Sequence, residues 1–174
     1  MRIYLIGYMG SGKSSLGKKL ASRMGFSYID LDKLIEEEQQ QSVRDIFLEM
    51  GENAFRSLER LALHSTFNKD NLVVSTGGGS PVYFDNMDLM NTNGLTVYLL
   101  ADADVLVNRL LNKQHLRPLI AGMSQEELHR FIEEQLKIRS SFYEKAKFHI
   151  QAKNLNPAIL HAQIRAYLEN QELA

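Results

Sequence analysis

The sequence predicts an α/β protein with a parallel sheet covered by helices on both faces. Three observations point that way. Short apolar runs alternate with amphipathic helical patterns from one end of the chain to the other. The runs Ile3-Tyr4-Leu5-Ile6 and Leu72-Val73-Val74 are continuously apolar, as strands buried on both faces require. The first run leads directly into a glycine-rich turn that ends in Gly12-Lys13-Ser14.

Each element has its own signal. Ile3 to Ile6 reads as a first strand. From Ser14 to Met24, Leu16, Leu20, Ala21 and Met24 share one helical face, and Gly25 supplies the stop. Phe26 to Ile29 reads as a second strand ending at Asp30, followed by a polar helix. Ser42-x-x-Asp45 is a capping-box pattern opening a short helix that Gly51 stops. Glu52 to Phe67 is helical, with Phe55, Leu58, Leu61 and Ala62 on its apolar side; Phe55 is read as core.

Leu72 to Thr76 is a third strand, running into Gly77-Gly78-Gly79, and Leu95 to Leu99 a fourth. A helix follows from Asp102 to Leu111, then a polar stretch from Asn112 to Met123 that contains Arg117-Pro118. Ser124-x-x-Glu127 caps a long helix reaching about Glu144. His149 to Ala152 is a fifth strand, and Asn156-Pro157 opens the last helix as cap and first residue.

Composition narrows the function. The 174 residues fit one domain, residues 1–174, with no internal repeat or linker. A formal net charge of -1 gives no general pull toward nucleic acid or an anionic membrane, so anion recognition has to be local. With 0 cysteines, disulfides and thiolate metal sites are impossible. No apolar run approaches the roughly 20 residues of a membrane span. Met1-Arg2 leads into only Ile3 to Ile6 before glycine, too short for a signal peptide. A cytoplasmic protein is the expectation. The acidic run Glu36 to Gln41 reads as a solvated helix face.

Gly7-Tyr8-Met9-Gly10-Ser11-Gly12-Lys13-Ser14 matches the phosphate-binding pattern G-x-x-x-x-G-K-[ST]. Glycines let successive backbone N–H groups turn inward as an anion nest, and the following helix adds its positive dipole end. Lys13 is expected to reach the β- and γ-phosphates of ATP and the Ser14 hydroxyl to ligate Mg²⁺ directly. Gly10, Ser11, Gly12 and Ser15 complete the expected nucleotide cradle.

Such a cradle serves kinases and GTP switches alike. A switch needs D-x-x-G and N-K-x-D; the first is missing, and Asn68-Lys69-Asp70-Asn71 lacks the final aspartate. A kinase needs a second pocket at the carboxyl ends of the strands, orienting a hydroxyl and excluding water. Two polar strand ends belong there: Asp30-Leu31-Asp32 and Thr76-Gly77-Gly78-Gly79. From residue type alone, Asp32 is equally a helix cap. Residue type alone favours Arg56 as a surface partner of Glu52 or Glu59, and Arg139 as one of Glu134 or Glu144.

Taken in order, six features give the chain a close resemblance to the shikimate kinase family over essentially its whole length. They are Gly7-x-Met9-Gly10-x-Gly12-Lys13-Ser14, Asp30-x-Asp32, Phe55-Arg56-x-x-Glu59, Thr76-Gly77-Gly78-Gly79, Arg117-Pro118-Leu119 and Arg139-x-x-x-Tyr143. The resemblance implies a three-layer α/β/α fold with a five-stranded parallel sheet of order 2-3-1-4-5. It implies a lid at about 112–123 and an acceptor-binding region at about 32–60. It also implies transfer of the γ-phosphoryl of MgATP to the 3-hydroxyl of shikimate, in aromatic amino-acid biosynthesis. A kinase for another hydroxy-acid, such as gluconate, or for a nucleoside monophosphate is the alternative.

The roles it implies fall on particular residues. Asp32 would hold the reacting hydroxyl, with Lys13 and Arg117 completing the catalytic set. Arg56 and Arg139 would clamp the substrate carboxylate in bidentate fashion. Gly78 would offer its backbone N–H to shikimate. Asp30 would meet Mg²⁺ through water, and Arg117 would reach the ATP phosphates when the lid closes. Arg109 is placed against adenine. The expected partners are small molecules only, ATP and shikimate, on a monomeric chain without nucleic acid or membrane.

Overall fold

The computed structural model describes residues 1–111 and 118–172. Its elements are β1 (Arg2–Ile6), α1 (Lys13–Met24), β2 (Ser27–Asp30), α2 (Leu31–Gln39), α3 (Val43–His64), β3 (Leu72–Ser75), α4 (Asn86–Asn93), β4 (Leu95–Leu100), α5 (Ala103–Leu110), α6 (Gln125–Tyr143), β5 (Phe148–Gln151) and α7 (Pro157–Glu172). The strands form one sheet in the order β2-β3-β1-β4-β5, every pairing parallel. This is the order implied by the resemblance.

The sheet divides the core in two. Side chains alternate along a strand. Ile3 and Leu5 of β1 therefore join Leu16 and Leu20 of α1 and Leu160 and Ile164 of α7 on one face. Tyr4 and Ile6 face the opposite way, into a larger cluster with Ile35, Leu63, Leu106, Leu128 and Ile132. Strand β1, central in the sheet, is buried from Ile3 onward because both faces are covered.

Register places the chemistry. Leu5 pairs with Ser75, and Ser75 pairs with Asp30. The carboxyl ends of three strands therefore lie side by side. Beyond β3, Thr76 donates from both its backbone N and its Oγ1 to Leu5 O, at 3.2 and 3.0 Å, holding the two exits together. The turn after β1 and the glycines after β3 consequently face one another.

Helix termini follow the sequence with informative exceptions. Ser124 and Glu127 make the complete reciprocal capping box. Ser42 Oγ accepts from Asp45 N, but the Asp45 carboxylate takes the Ser42 hydroxyl rather than its backbone N–H. Aspartate is one methylene shorter than glutamate, so this cap is one-sided. Phe26, expected in β2, instead donates its N–H to Ala21 O and closes α1 around Gly25, whose φ is 68°. The break expected at Gly51 is present inside α3, with φ 79° and ψ 173°.

One expectation fails. Leu61, read as apolar-side, is 65% exposed, while Leu63 one step further round is fully buried. Leu58 and Ala62 face the core as expected, but with Phe55, Glu59 and Leu63 they already fill the stripe, leaving Leu61 outside it. Helix α4 and the 3₁₀ turn Ser80–Val82 before it were not anticipated. Their polar composition hides Met87 and Met90, both buried.

Of the stretch read as a lid, only residues 118–123 are described. Pro118–Ile120 forms a 3₁₀ turn, Ile120 is fully buried, and Gly122 has φ 76°. Arg117 lies outside the described residues. Among the described residues no helix is long and apolar enough to cross a membrane.

Candidate active site

The turn between β1 and α1 is shaped by backbone that only glycine adopts easily. Gly7, Gly10 and Gly12 have φ of 136°, 82° and 105°. A Cβ on Gly7 would stand 2.9 Å from Leu99 O. Lys13 Nζ arches back over the turn and donates to Gly7 O at 2.7 Å and Tyr8 O at 2.9 Å. The turn thus carries its own cation, poised where phosphates would sit.

A cavity of about 740 Å³ opens from this turn. Gly10 through Ser15 line one wall, Asp30, Asp32 and Thr76 to Gly78 another, and Arg109 with Ala152, Leu155, Asn156 and Pro157 the far end. Every expected residue of the phosphate cradle therefore borders one space with both aspartates and Gly78.

Asp30 takes the N-cap position of α2 but makes no side-chain cap; it accepts from Tyr28 Oη at 3.2 Å. Burial, above all, pushes the Tyr28 phenol up to about 12, so it remains a donor. Asp32 sits within the first turn of α2 and is not its cap. Its Oδ1 lies 3.2 Å from where a Cβ on Gly77 would stand.

Neither Arg56 nor Arg139 is among the residues bordering this cavity. Arg56 is 7% exposed, and its guanidinium would be 2.6 Å from a Cβ on Gly79. Glycine is needed there because the fork occupies the space of a side chain. Arg56 Nη1 donates to Glu59 Oε2 at 2.8 Å, and Nε and Nη2 donate to Glu52 Oε1 at 3.2 and 2.9 Å. Both same-helix pairings foreseen for Arg56 are thus present, one of them deeply buried. The Tyr83 ring lies 4.3 Å from the guanidinium carbon.

Arg139 on α6 is half-buried. It donates to Gln135 Oε1 at 2.8 Å and lies over the Tyr8 ring at 5.3 Å rather than pairing with Glu134 or Glu144 among the described residues. Tyr143, one turn on, donates to Gly78 O at 2.5 Å and so ties α6 to the glycine wall.

Arg109 Nη1 donates to Gly10 O and Ser11 O and its Nη2 to Ala152 O, each at 3.1 Å. It therefore pins the phosphate turn to the loop after β5.

Several participants escaped the sequence reading. Glu59 was legible only as a same-helix partner of Arg56. It is fully buried and also accepts from Ser80 Oγ. Tyr143 stood in a quoted pattern without a task. Tyr83 carried no signal, and Glu52 was legible only as a same-helix partner of Arg56.

Comparison with known proteins adds the following. Residues 9–169 match the family model described as Shikimate kinase. Over 154 residues the chain is 50% identical to a shikimate kinase of Phocaeicola vulgatus, covering 88% of each chain. A crystal structure of shikimate kinase from Bacteroides thetaiotaomicron superposes with a TM-score of 0.86 at 42% identity, covering 99% of this chain and 97% of that one. Shikimate kinase from Acinetobacter baumannii in complex with shikimate gives a TM-score of 0.88 at 30% identity, covering 99% and 95%.

Proposed function

The chain belongs to the shikimate kinase family, and from that premise we propose that it transfers the γ-phosphoryl of ATP to the 3-hydroxyl of shikimate, giving shikimate 3-phosphate and ADP. The observation that carries this reading is the single cavity joining the phosphate turn to Asp32 and Gly78, with Arg56 packed directly behind Gly79.

ATP enters with its adenine toward Arg109, Ala152 and Pro157 and its phosphates over Gly10 to Ser15. Lys13 exchanges its two carbonyl partners for β- and γ-phosphate oxygens, whose charge grows as the bond to the γ-phosphorus loosens. Asp32 accepts a hydrogen bond from the acceptor hydroxyl and aligns it with that phosphorus; little proton abstraction is needed early in a loose transition state. Arg56 and Arg139 take the acceptor carboxylate, and the Gly78 N–H faces the ring. Arg117 is assigned to the phosphates on the resemblance.

The donors bordering the phosphate turn suit Mg²⁺, which prefers oxygen ligands and keeps several waters. Ser14 would ligate it directly and Asp30 through water, Asp30 being held by the Tyr28 phenol. Held there, the ion would supply positive charge against the ATP phosphates. A cytoplasmic monomer that engages only small molecules completes the proposal.

The test is ADP release with MgATP across shikimate, gluconate, AMP and water as acceptors. Rapid release with shikimate alone is expected. A comparable rate with gluconate or AMP would move the assignment to that acceptor.

A further inference from the structure

Arg56 already holds a carboxylate. One oxygen of Glu52 accepts from Nε and Nη2, along the side edge that a bidentate carboxylate ligand would use, and from Tyr83 Oη at 2.7 Å. The fork's third nitrogen, Nη1, is committed to Glu59. Glu59 is fully buried and locked to Ser80, whereas the Glu52 side chain is 51% exposed. The first is a fixture. The second is free to leave toward water.

Its position in the chain suits departure. Glu52 follows Gly51, whose φ of 79° breaks α3, so it stands in the first turn of the second helical segment. There a carboxylate is favoured by the helix dipole whether or not it touches Arg56. Glu52 is held below the ordinary glutamate range by the Tyr83 hydrogen bond first, then by Arg56, and the charge of Arg139 contributes as well. Both arginines assigned to the acceptor carboxylate thus act on this side chain.

We propose that Glu52 is a placeholder carboxylate: it occupies the acceptor-carboxylate site and is displaced when a carboxylate acceptor binds. The proposal rests on the reading of Arg56 and Arg139 as the carboxylate clamp. An acceptor approaching the side edge must replace the Glu52 oxygen. One approaching the outer ends of Nη1 and Nη2 meets its negative charge alongside. By either route Glu52 opposes binding. It also leaves Arg56 flanked by two carboxylates, so inorganic anions gain little by entering. Glu52 therefore sets both the affinity for carboxylate acceptors and the rejection of simple anions, a specificity role distinct from catalysis.

The experiment compares wild type with Glu52→Gln, which keeps shape and an acceptor oxygen but removes the charge. The expected KM for shikimate falls about five-fold, the difference between a charge-assisted hydrogen bond and the neutral one that glutamine keeps. Inhibition by sulfate should strengthen by a similar factor, while the KM for ATP and that for the methyl ester of shikimate stay put. Tyr83→Phe keeps the ring on Arg56 but removes the phenolic bond to Glu52, so it should shift KM the same way by less. An unchanged or raised KM for shikimate in Glu52→Gln, with the thermal midpoint preserved, overturns the proposal and makes Glu52 a brace for Arg56. A gain equal for shikimate and its methyl ester also overturns it. If wild type leaves shikimate unphosphorylated, the clamp reading itself fails, and that result is read from the wild-type arm alone.

Discussion

Arg56 Nη1 lies 2.8 Å from Glu59 Oε2, one turn away on the same helix, and the two residues are 7% and 0% exposed. Glu59 in turn accepts from Ser80 Oγ, in the turn after the glycine wall. The acceptor side of the site is therefore built on a buried ion pair rather than on a surface arginine. Removing one partner leaves the other charged and buried. Arg56→Ala should lower unfolding free energy by about 3 kcal/mol, measured by urea denaturation. A loss below about 1 kcal/mol would mean the pair is solvated in practice.

Gly79→Ala adds one methyl group where the Arg56 fork already stands, 2.6 Å from Nη1. The guanidinium has to move, while the nucleotide cradle at Gly10 to Ser15 is untouched. Shikimate KM should rise at least ten-fold and ATP affinity, by calorimetry, should hold within two-fold, since roughly 1.4 kcal/mol of misplacement is a factor of ten. A variant whose ATP affinity falls instead would place Gly79 on the wrong side of the cavity.

The Tyr143 hydroxyl donates to Gly78 O from a fully buried ring. Tyr143→Phe keeps the packing and leaves that carbonyl without this donor, at a cost of about 1–2 kcal/mol. The consequence should be a several-fold rise in shikimate KM with ATP KM unchanged. Steady-state kinetics with each substrate varied in turn decides it.

Lys13→Ala should retain the fold and lose turnover. Its ammonium meets Gly7 O and Tyr8 O in this structure and is assigned to the β- and γ-phosphates during reaction. Losing a preorganised charged donor raises the barrier by about 3 kcal/mol or more, on the order of 10² in rate. A folded variant keeping most of the wild-type kcat would remove Lys13 from the mechanism.

What could be read from the sequence was whatever backbone physics dictates locally. Glycine spacing around Gly7, Gly10 and Gly12 announces positive φ, and each of the three has it. Ser124 and Glu127 announce a capping box, and it forms. Strand order was available only through resemblance, because no local pattern records which strand lies beside which. The acceptor side was the least legible for the same reason. Tyr83 meets Glu52 across 31 positions, and Tyr143 meets Gly78 across 65. Such contacts are set by packing between elements. Leu61 shows the converse limit: an apolar residue at helical spacing reads as core, yet the stripe was already full.

The most direct test of the account is the identity of the product made from shikimate and MgATP, followed by phosphorus and proton NMR. The account predicts one new phosphate ester on the 3-hydroxyl of shikimate, formed in step with ADP, with little free inorganic phosphate. ADP accumulating with inorganic phosphate while shikimate stays unmodified, or an ester at another hydroxyl, would contradict it.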